Sequence, residues 1–335
     1  MLAEPLDRLL ASRVDAPMLR AAEAGKPSQA LASEVEKLGL ATALVPEDRD
    51  GAGLGWADLG GVFQTLGYHA APLPLGEAII AQWALARLGQ PASAVTPALA
   101  LDALEGDATV SGVTQVPWGL TAAHVLATAR TPRGDRLCLV STEGADRSPV
   151  RTVGRDPAAK IKFRAASVIA SIPSGPFGLH EALAVLRAGQ IAGALSRILE
   201  LSIDYANTRV QFGRPIGKFQ AIQHLVAGLA GEAACAKAAF QLALTALDAA
   251  PAWQPVAVAK IRASLAVSKS TFAAHETHGA IGVTEDHSLH FYTRRLWQWR
   301  DEAGNEHAWS ERLGRDVLAG GAEAFWPRVV SLSNN

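Results

Sequence analysis

Apolar positions along this chain recur with two different periods. From Pro5 to about Leu88 they return every three to four residues in an Ala/Leu-rich stretch, broken by a glycine loop at residues 50–55 and by Pro72 and Pro74. That period predicts helices laid against a core. From Thr96 to Ile172 the runs shorten to residues 108–113, 124–129, 136–140, 160–163 and 168–172, separated by Gly112, Pro132, Gly134 and Pro157. Such runs predict a small antiparallel sheet or barrel. Residues 173–176 form a proline-marked boundary, beyond which helical spacing returns on a longer scale. Ile191, Leu195, Ile198 and Ser202 share one predicted helix face; Ile222, Leu225, Leu229 and Ala233 share a second. Ile261, Leu265, Ser268 and Phe272 form a third, and residues 289–299 complete four segments, enough for a bundle. The pattern therefore predicts an α+β chain, mainly α. Its parts are an N-terminal helical domain (1–95), a central β-domain (96–173) and a C-terminal four-helix bundle (174–335).

Composition narrows the class. With 335 residues and 49% apolar content the chain can bury a substantial core. A formal net charge of -1 gives no global field for nucleic acid or an anionic membrane. Cys138 and Cys235 stand far apart without a Cys-x-x-Cys pattern, which argues against a disulfide framework or zinc site and fits a cytoplasmic location. The acids in Met1-Leu-Ala-Glu-Pro-Leu-Asp-Arg do not suit a secretory signal. The greasy stretch at residues 225–247 contains Glu232 and Lys237, so no bilayer-spanning run is expected.

The chemistry concentrates between two predicted helices, in Tyr205-Ala-Asn-Thr-Arg-Val-Gln-Phe-Gly-Arg-Pro-Ile-Gly-Lys-Phe-Gln220. Arg209 and Arg214 carry planar forks of donors that suit a phosphate or pyrophosphate, and Gly213 allows close backbone approach to an anion. The competing reading is a helix-to-helix turn with solvated arginines.

This stretch resembles the signature turn of the acyl-CoA dehydrogenase family, where Arg-x-x-Phe-Gly and a following Phe-Gln or His-Gln grip FAD across a subunit interface. The resemblance implies FAD contacts from Arg209, Gln211, Phe212, Gly213, Phe219 and Gln220. His278-Gly279-Ala280-Ile281-Gly282-Val283-Thr284 is similar to the family's Gly-Gly-x-Gly-Phe-Thr loop, and adds Glu276, His278, Gly279, Ile281 and Gly282 to the implied cofactor contacts. Leu38-Gly39-Leu40, Val45-Pro46-Glu47, Gly51-Ala52-Gly53-Leu54, Leu66-Gly67 and Pro72 match the family's N-terminal segment, so the likeness spans nearly the whole chain.

Acyl-CoA dehydrogenation needs a carboxylate base for the α-proton of a CoA thioester and a flavin for the β-hydride. The two places from which the family supplies that base fall here on Ala303, ahead of Gly304, and on Leu183. Neither takes a proton. Glu302 and Glu181 stand nearby; Glu302 is a candidate displaced base, or a solvated carboxylate in Arg300-Asp301-Glu302. The family's Thr-Glu-Pro-Gly-x-Gly-Ser-Asp segment has no counterpart in the region from Ala94 to Gly106, and its Trp-Ile/Val-Thr-Asn is replaced by Val116-Pro117-Trp118-Gly119. Trp118 is expected in the core, with stacking on a ring system as the alternative.

The profile is similar to that of the shorter, base-lacking chain of heterotetrameric steroid-CoA dehydrogenases. It implies a homo- or hetero-oligomer, with a paralogous acyl-CoA dehydrogenase chain as partner, and an electron-transfer acceptor protein. Three alternatives stay open: a homomer using Glu302, a flavin-dependent monooxygenase, and a scaffold subunit without catalysis. His275, His278, His287 and His290 lie close together, but His-Glu-x-His is one residue short of the zincin spacing, and no metal site is assigned. Phe291, Tyr292, Trp297, Trp299 and Trp309 interleave with Arg294, Arg295, Arg300 and Arg312; intervening acids favour a packing face or subunit interface over nucleic acid.

Overall fold

The computed structural model describes residues 2–92 and 96–333. The expected boundary between residues 95 and 96, and the start of the segment at Ala94, fall partly outside these residues. Helices α1 (Ala3–Arg13), α2 (Ala16–Glu23), α3 (Gln29–Glu36), α4 (Gly60–Tyr68) and α5 (Leu75–Arg87) form the N-terminal part. Two carry side-chain caps: the Asp15 carboxylate accepts from Met18 N at 2.8 Å and the Ser28 hydroxyl from Leu31 N at 3.2 Å, satisfying first-turn donors.

Seven strands follow: β1 (Ala98–Leu99), β2 (Leu104–Gly106), β3 (Thr109–Pro117), β4 (His124–Arg130), β5 (Arg136–Ser141), β6 (Asp146–Arg151) and β7 (Pro157–Pro173). They run in the order β1-β4-β2-β3-β7-β5, and β4 also pairs with β5, so β4, β2, β3, β7 and β5 close a small barrel. Val110, Val116, Val125, Val140, Ile161 and Phe163 belong to its own core. Three details differ from the sequence reading. The short strands β1 and β2 fall outside the apolar runs. The runs at 160–163 and 168–172 are one strand: the first half of β7 pairs with β3 and β6, the second with β5, and Ala165 between them has φ 49°. β6 escaped the pattern because Asp-Arg-Ser-Pro-Val-Arg is almost wholly exposed, with a proline that an edge strand tolerates.

The remaining chain is helical: α6 (Leu179–Thr208), a hairpin of β8 (Val210–Gln211) and β9 (Arg214–Pro215), then α7 (Gln220–Ala249), α8 (Trp253–His278), α9 (Leu289–Asp301), α10 (Glu306–Ala319) and α11 (Ala322–Ser333). One core joins these helices to α1–α5, with α6 at its centre. The face Ile191, Leu195, Ile198, Ser202 is buried as its spacing predicts. Phe63 and Phe240 are fully buried beside Gly189; such burial stabilises by about 1.5–3 kcal/mol per side chain.

Helix α8 corrects the sequence reading. Leu265 and Phe272, expected inside, are 44% and 62% exposed, whereas Ala259, Ala263, Ala266 and Ala274 are buried. Small residues let α8 approach α6 and α7 closely, and the larger apolar side chains are left outside. By length and mean hydropathy, α6 and α7 both pass the criterion for crossing a bilayer, contrary to expectation; 83% of the α6 window is buried inside the folded chain. Glu232 and Lys237 did not lower the α7 average enough to exclude it.

Candidate functional site

The chain leaves α6 at Arg209, turns through Phe212-Gly213 and returns, with Val210 opposite Pro215 and Gln211 opposite Arg214. Phe212 (φ 52°) and Gly213 (φ 77°) both take left-handed conformations, as a two-residue hairpin turn requires. Glycine does so freely; a bulky aromatic does not, and such strain is concentrated at functional positions. Phe212 is 91% exposed, and Arg209, Gln211, Arg214 and Gln220 are exposed with it. Phe219, half-buried, carries the Arg214 guanidinium 4.2 Å above its ring. Two arginines, two amide side chains and a glycine turn thus project from one end of the bundle. The set can hold a phosphate or pyrophosphate.

The glycine loop lies beside it. Tyr205, one turn before Arg209, stacks on His278 at 4.8 Å, and His287 packs against His278 at 4.6 Å. Gly279 has φ 62° and open space where a Cβ would stand, leaving its backbone accessible. Glu276 and Ile281 are exposed. His278 and Gly282 are not: His278 is 2% exposed, with its ring turned inward. Its imidazole is therefore not available to touch a cofactor, a correction to its assignment from the motif. Tyr205, which heads the signature stretch, and His287, one of the clustered histidines, were given no cofactor role by the motifs; the structure packs both against His278. Among the described residues, no group of three or more His, Cys, Asp or Glu side chains is placed to hold a metal ion.

A second feature is a cavity of about 1010 Å³ between the barrel and the bundle. Glu181, Glu302 and Ala303 all line it; Leu183 is buried in the α6 core instead. Glu302 is not the solvated carboxylate that its neighbours suggest. It is 7% exposed, its Oε1 accepts from Gln298 at 2.7 Å, and its Oε2 lies 2.6 Å from Arg187 Nε. Burial pushes its carboxyl above the usual range, opposed by Arg187. Arg187 also meets Glu77 at 2.8 Å and Gln190 at 2.7 Å; burial works against its charge, but the two carboxylates hold it protonated. Glu181 is engaged too, accepting from Gly178 N at 2.9 Å and from Arg312 at 2.6 Å. Neither carboxylate stands free to take a proton from a substrate.

Lys260 supports the same turn. Its buried ammonium donates to the carbonyls of Trp299 and Arg300 at 2.9 and 2.7 Å, closing the C-terminal end of α9, where positive charge is favoured. Burial pulls its pKa down to about 7. An unfolded lysine titrates near 10.4, so between these values the unfolded chain holds the extra proton and stability rises with pH. In urea denaturation the wild type is expected to gain on the order of 1–3 kcal/mol relative to Lys260→Met from about pH 7 to about pH 10. A pH-independent difference contradicts this.

Trp118 is neither in the core nor in the cavity beside Ala303. Half-buried, with φ 58°, it lines a separate groove with Leu120, Pro149 and Arg155. Most of the C-terminal aromatics form a packing face: Phe291, Tyr292, Trp299 and Trp309 are buried, and Arg295 pairs with Asp156 at 2.7 Å, whereas Trp297 is exposed.

The family model described as "Acyl-CoA dehydrogenase, C-terminal domain" matches residues 180–304. Acyl-CoA dehydrogenase IpdE2 of Mycobacterium tuberculosis is 31% identical over 304 residues, covering 88% of this chain and 89% of that protein. A variant of the Tcur3481-Tcur3483 steroid ACAD superposes with a TM-score of 0.88 at 26% identity, covering 96% of this chain and 98% of that one. The ChsE4-ChsE5 complex from the same Mycobacterium species gives a TM-score of 0.85 at 23% identity over 95% and 96% of the two chains, a likeness of fold.

Proposed function

The chain belongs to the acyl-CoA dehydrogenase family, and from that membership we propose that it is the subunit lacking the catalytic carboxylate in a heteromeric, FAD-dependent acyl-CoA dehydrogenase of the cytoplasm. The observation that carries this reading is a division within one chain. The phosphate-gripping hairpin is complete and exposed, whereas Ala303 and Leu183 occupy the base positions and the nearby carboxylates are tied to Arg187 and Arg312.

Under this reading Arg209 and Arg214 take the charge of the FAD pyrophosphate, Gly213 and Gly279 let backbone amides approach it, and Gln211 and Gln220 supply further polar contacts. The open space at Gly213 and Gly279 supports the fit. Phe212 and Phe219 flank the same turn, 6.1 Å apart edge to face, and give the cofactor an apolar border. The flavin held there would supply a hydride acceptor for the β-carbon of a CoA thioester. The α-proton base and the ring-binding segment come from a paralogous chain, and the electrons pass to an electron-transfer protein. The likeness to a protein described as a steroid ACAD supports a bulky, steroid-derived acyl group. Leu265 and Phe272, left outside on α8, give such a partner apolar surface to cover. The division into segments 1–95, 96–173 and 174–335 belongs to the same reading.

Removing a true general base lowers turnover by about 10²–10⁴-fold. In the complex, Glu302→Gln and Glu181→Gln are each expected to keep turnover within about threefold of wild type, far above that range. A loss of several hundredfold in either variant would return that carboxylate to the role of base and overturn the division of labour.

A further inference from the structure

The two cofactor-gripping segments are joined by a ring stack. Tyr205 belongs to the last turn of α6, His278 ends α8, and His287 precedes α9. Tyr205 and His278 lie 4.8 Å apart with planes 26° from parallel; His287 stands 4.6 Å from His278 and 6.3 Å from Tyr205. The hydrogen bonds fix which nitrogens carry protons. His278 Nδ1 donates to the Ala274 carbonyl at 2.7 Å, which leaves Nε2 bare, buried and without a partner. His287 Nδ1 accepts from Leu289 N at 3.2 Å, and His290 Nδ1 donates to the His287 carbonyl at 2.7 Å.

We propose that His278 is a positioning residue which, as a neutral imidazole stacked on Tyr205 and tilted against His287, holds the Gly279–Val283 turn in register with the Arg209 hairpin, so that acid loosens the grip on the cofactor. The inference rests on the FAD reading for its ligand and on the stack for its geometry.

A second proton on His278 must go to Nε2, which is buried without a formed hydrogen bond; the Leu201 carbonyl is the backbone group besides Ala274 that favours the charged ring. The groups facing the ring decide whether anything offsets that cost. From α8 there is His275, itself half-buried; from α6 there is the Tyr205 phenol ring; from the segment before α9 there is His287, with His290 behind it. Glu23, Glu285 and Arg294 reach His290 and not His278. Among the described residues no carboxylate is seen to face His278. Burial lowers the proton affinity of His278 and the charge of His275 reinforces this, while the Ala274 and Leu201 carbonyls oppose it without reversing it. Burial lowers His287 in the same way, with His278 and His290 adding to it.

The sign follows. In the opened stack a histidine titrates near 6.5, above its value in the closed stack. The opened form therefore binds the proton first. The closed stack is fully stable above about pH 6.5 and is lost as pH falls below it.

The test uses the complex of this chain with its paralogous partner. From about pH 8 to about pH 5.5, FAD affinity of the wild type is expected to fall severalfold, because the opened form takes up the proton first. His278→Phe keeps the stack on Tyr205 and cannot titrate; its affinity is expected to change less than about twofold over the same range. Equal falls in wild type and variant, or a flat wild type, overturn the proposal. Hydrogen exchange of residues 279–284, compared between wild type and variant at the same acid pH, needs no flavin. Faster exchange in the wild type alone supports the stack even if no FAD binds at any pH, which would sink the FAD reading instead; equal exchange overturns the stack.

Discussion

Arg209→Ala is expected to strip flavin from the assembled enzyme while leaving the chain folded. Arg209 is exposed at the C-cap of α6 and has no ion pair among the described residues, so its removal orphans nothing inside the protein. What it removes is a charged fork aimed at an anion, and hydrogen bonds to charged groups contribute about 1.5–3 kcal/mol each. The expected loss is therefore roughly 10–150-fold in FAD affinity, read by titrating the apo-complex with FAD and following flavin fluorescence. Arg209→Lys is expected to recover only part of it, because an ammonium cannot bind two oxygens in one plane. An Arg209→Ala complex that retains flavin at wild-type affinity would show the hairpin to be an ordinary turn with solvated arginines.

The largest effect on stability is expected from Arg187→Ala. Arg187 is 2% exposed and joins Glu77 on α5 to Glu302 after α9, so one guanidinium neutralises two buried carboxylates from distant parts of the chain. Taking away one partner of a buried ion pair typically costs 3–5 kcal/mol, because the remaining charge is left without compensation. For a chain of this size that lowers the melting temperature by roughly 4–7 °C. The triple variant Arg187→Met, Glu77→Leu, Glu302→Leu removes all three charges, and is expected to recover most of the loss, since apolar replacements of buried ion clusters are often neutral or better. If Arg187→Ala melts within about 1 °C of wild type, Glu302 is not held as described and its exclusion as a base loses its footing.

The features that could be read from sequence are those fixed locally. The face of α6 followed from a 3.6-residue period, and the Arg209 turn from Phe-Gly between two helical runs, because neighbours in sequence impose both. The barrel was legible for the same reason in its longer strands; β1 and β2 are too short to show alternation, and the polar edge of β6 carries none. Glu302 was misread because its partner Arg187 is remote in sequence. Yet Arg187 did leave a trace, as the single charge in the apolar run from Ala182 to Leu195. His278 was placed on the cofactor by its motif, but its ring is buried against Tyr205, while Gly279 has open space at its Cβ position. The inward face of α8 was missed because close helix packing selects alanine, which a search for large apolar residues ignores. Leu265 and Phe272 carried the stronger signal, and they face outward.

The central claim is that this chain supplies a cofactor grip without a base, and the flavin-to-protein ratio tests it most directly. The chain is purified alone and again after co-expression with a paralogous acyl-CoA dehydrogenase chain, with flavin released by denaturation and measured by absorbance. The account predicts little or no flavin and no dehydrogenase turnover alone, and bound FAD with turnover in the complex. About one flavin per chain with full turnover in the chain alone would contradict it.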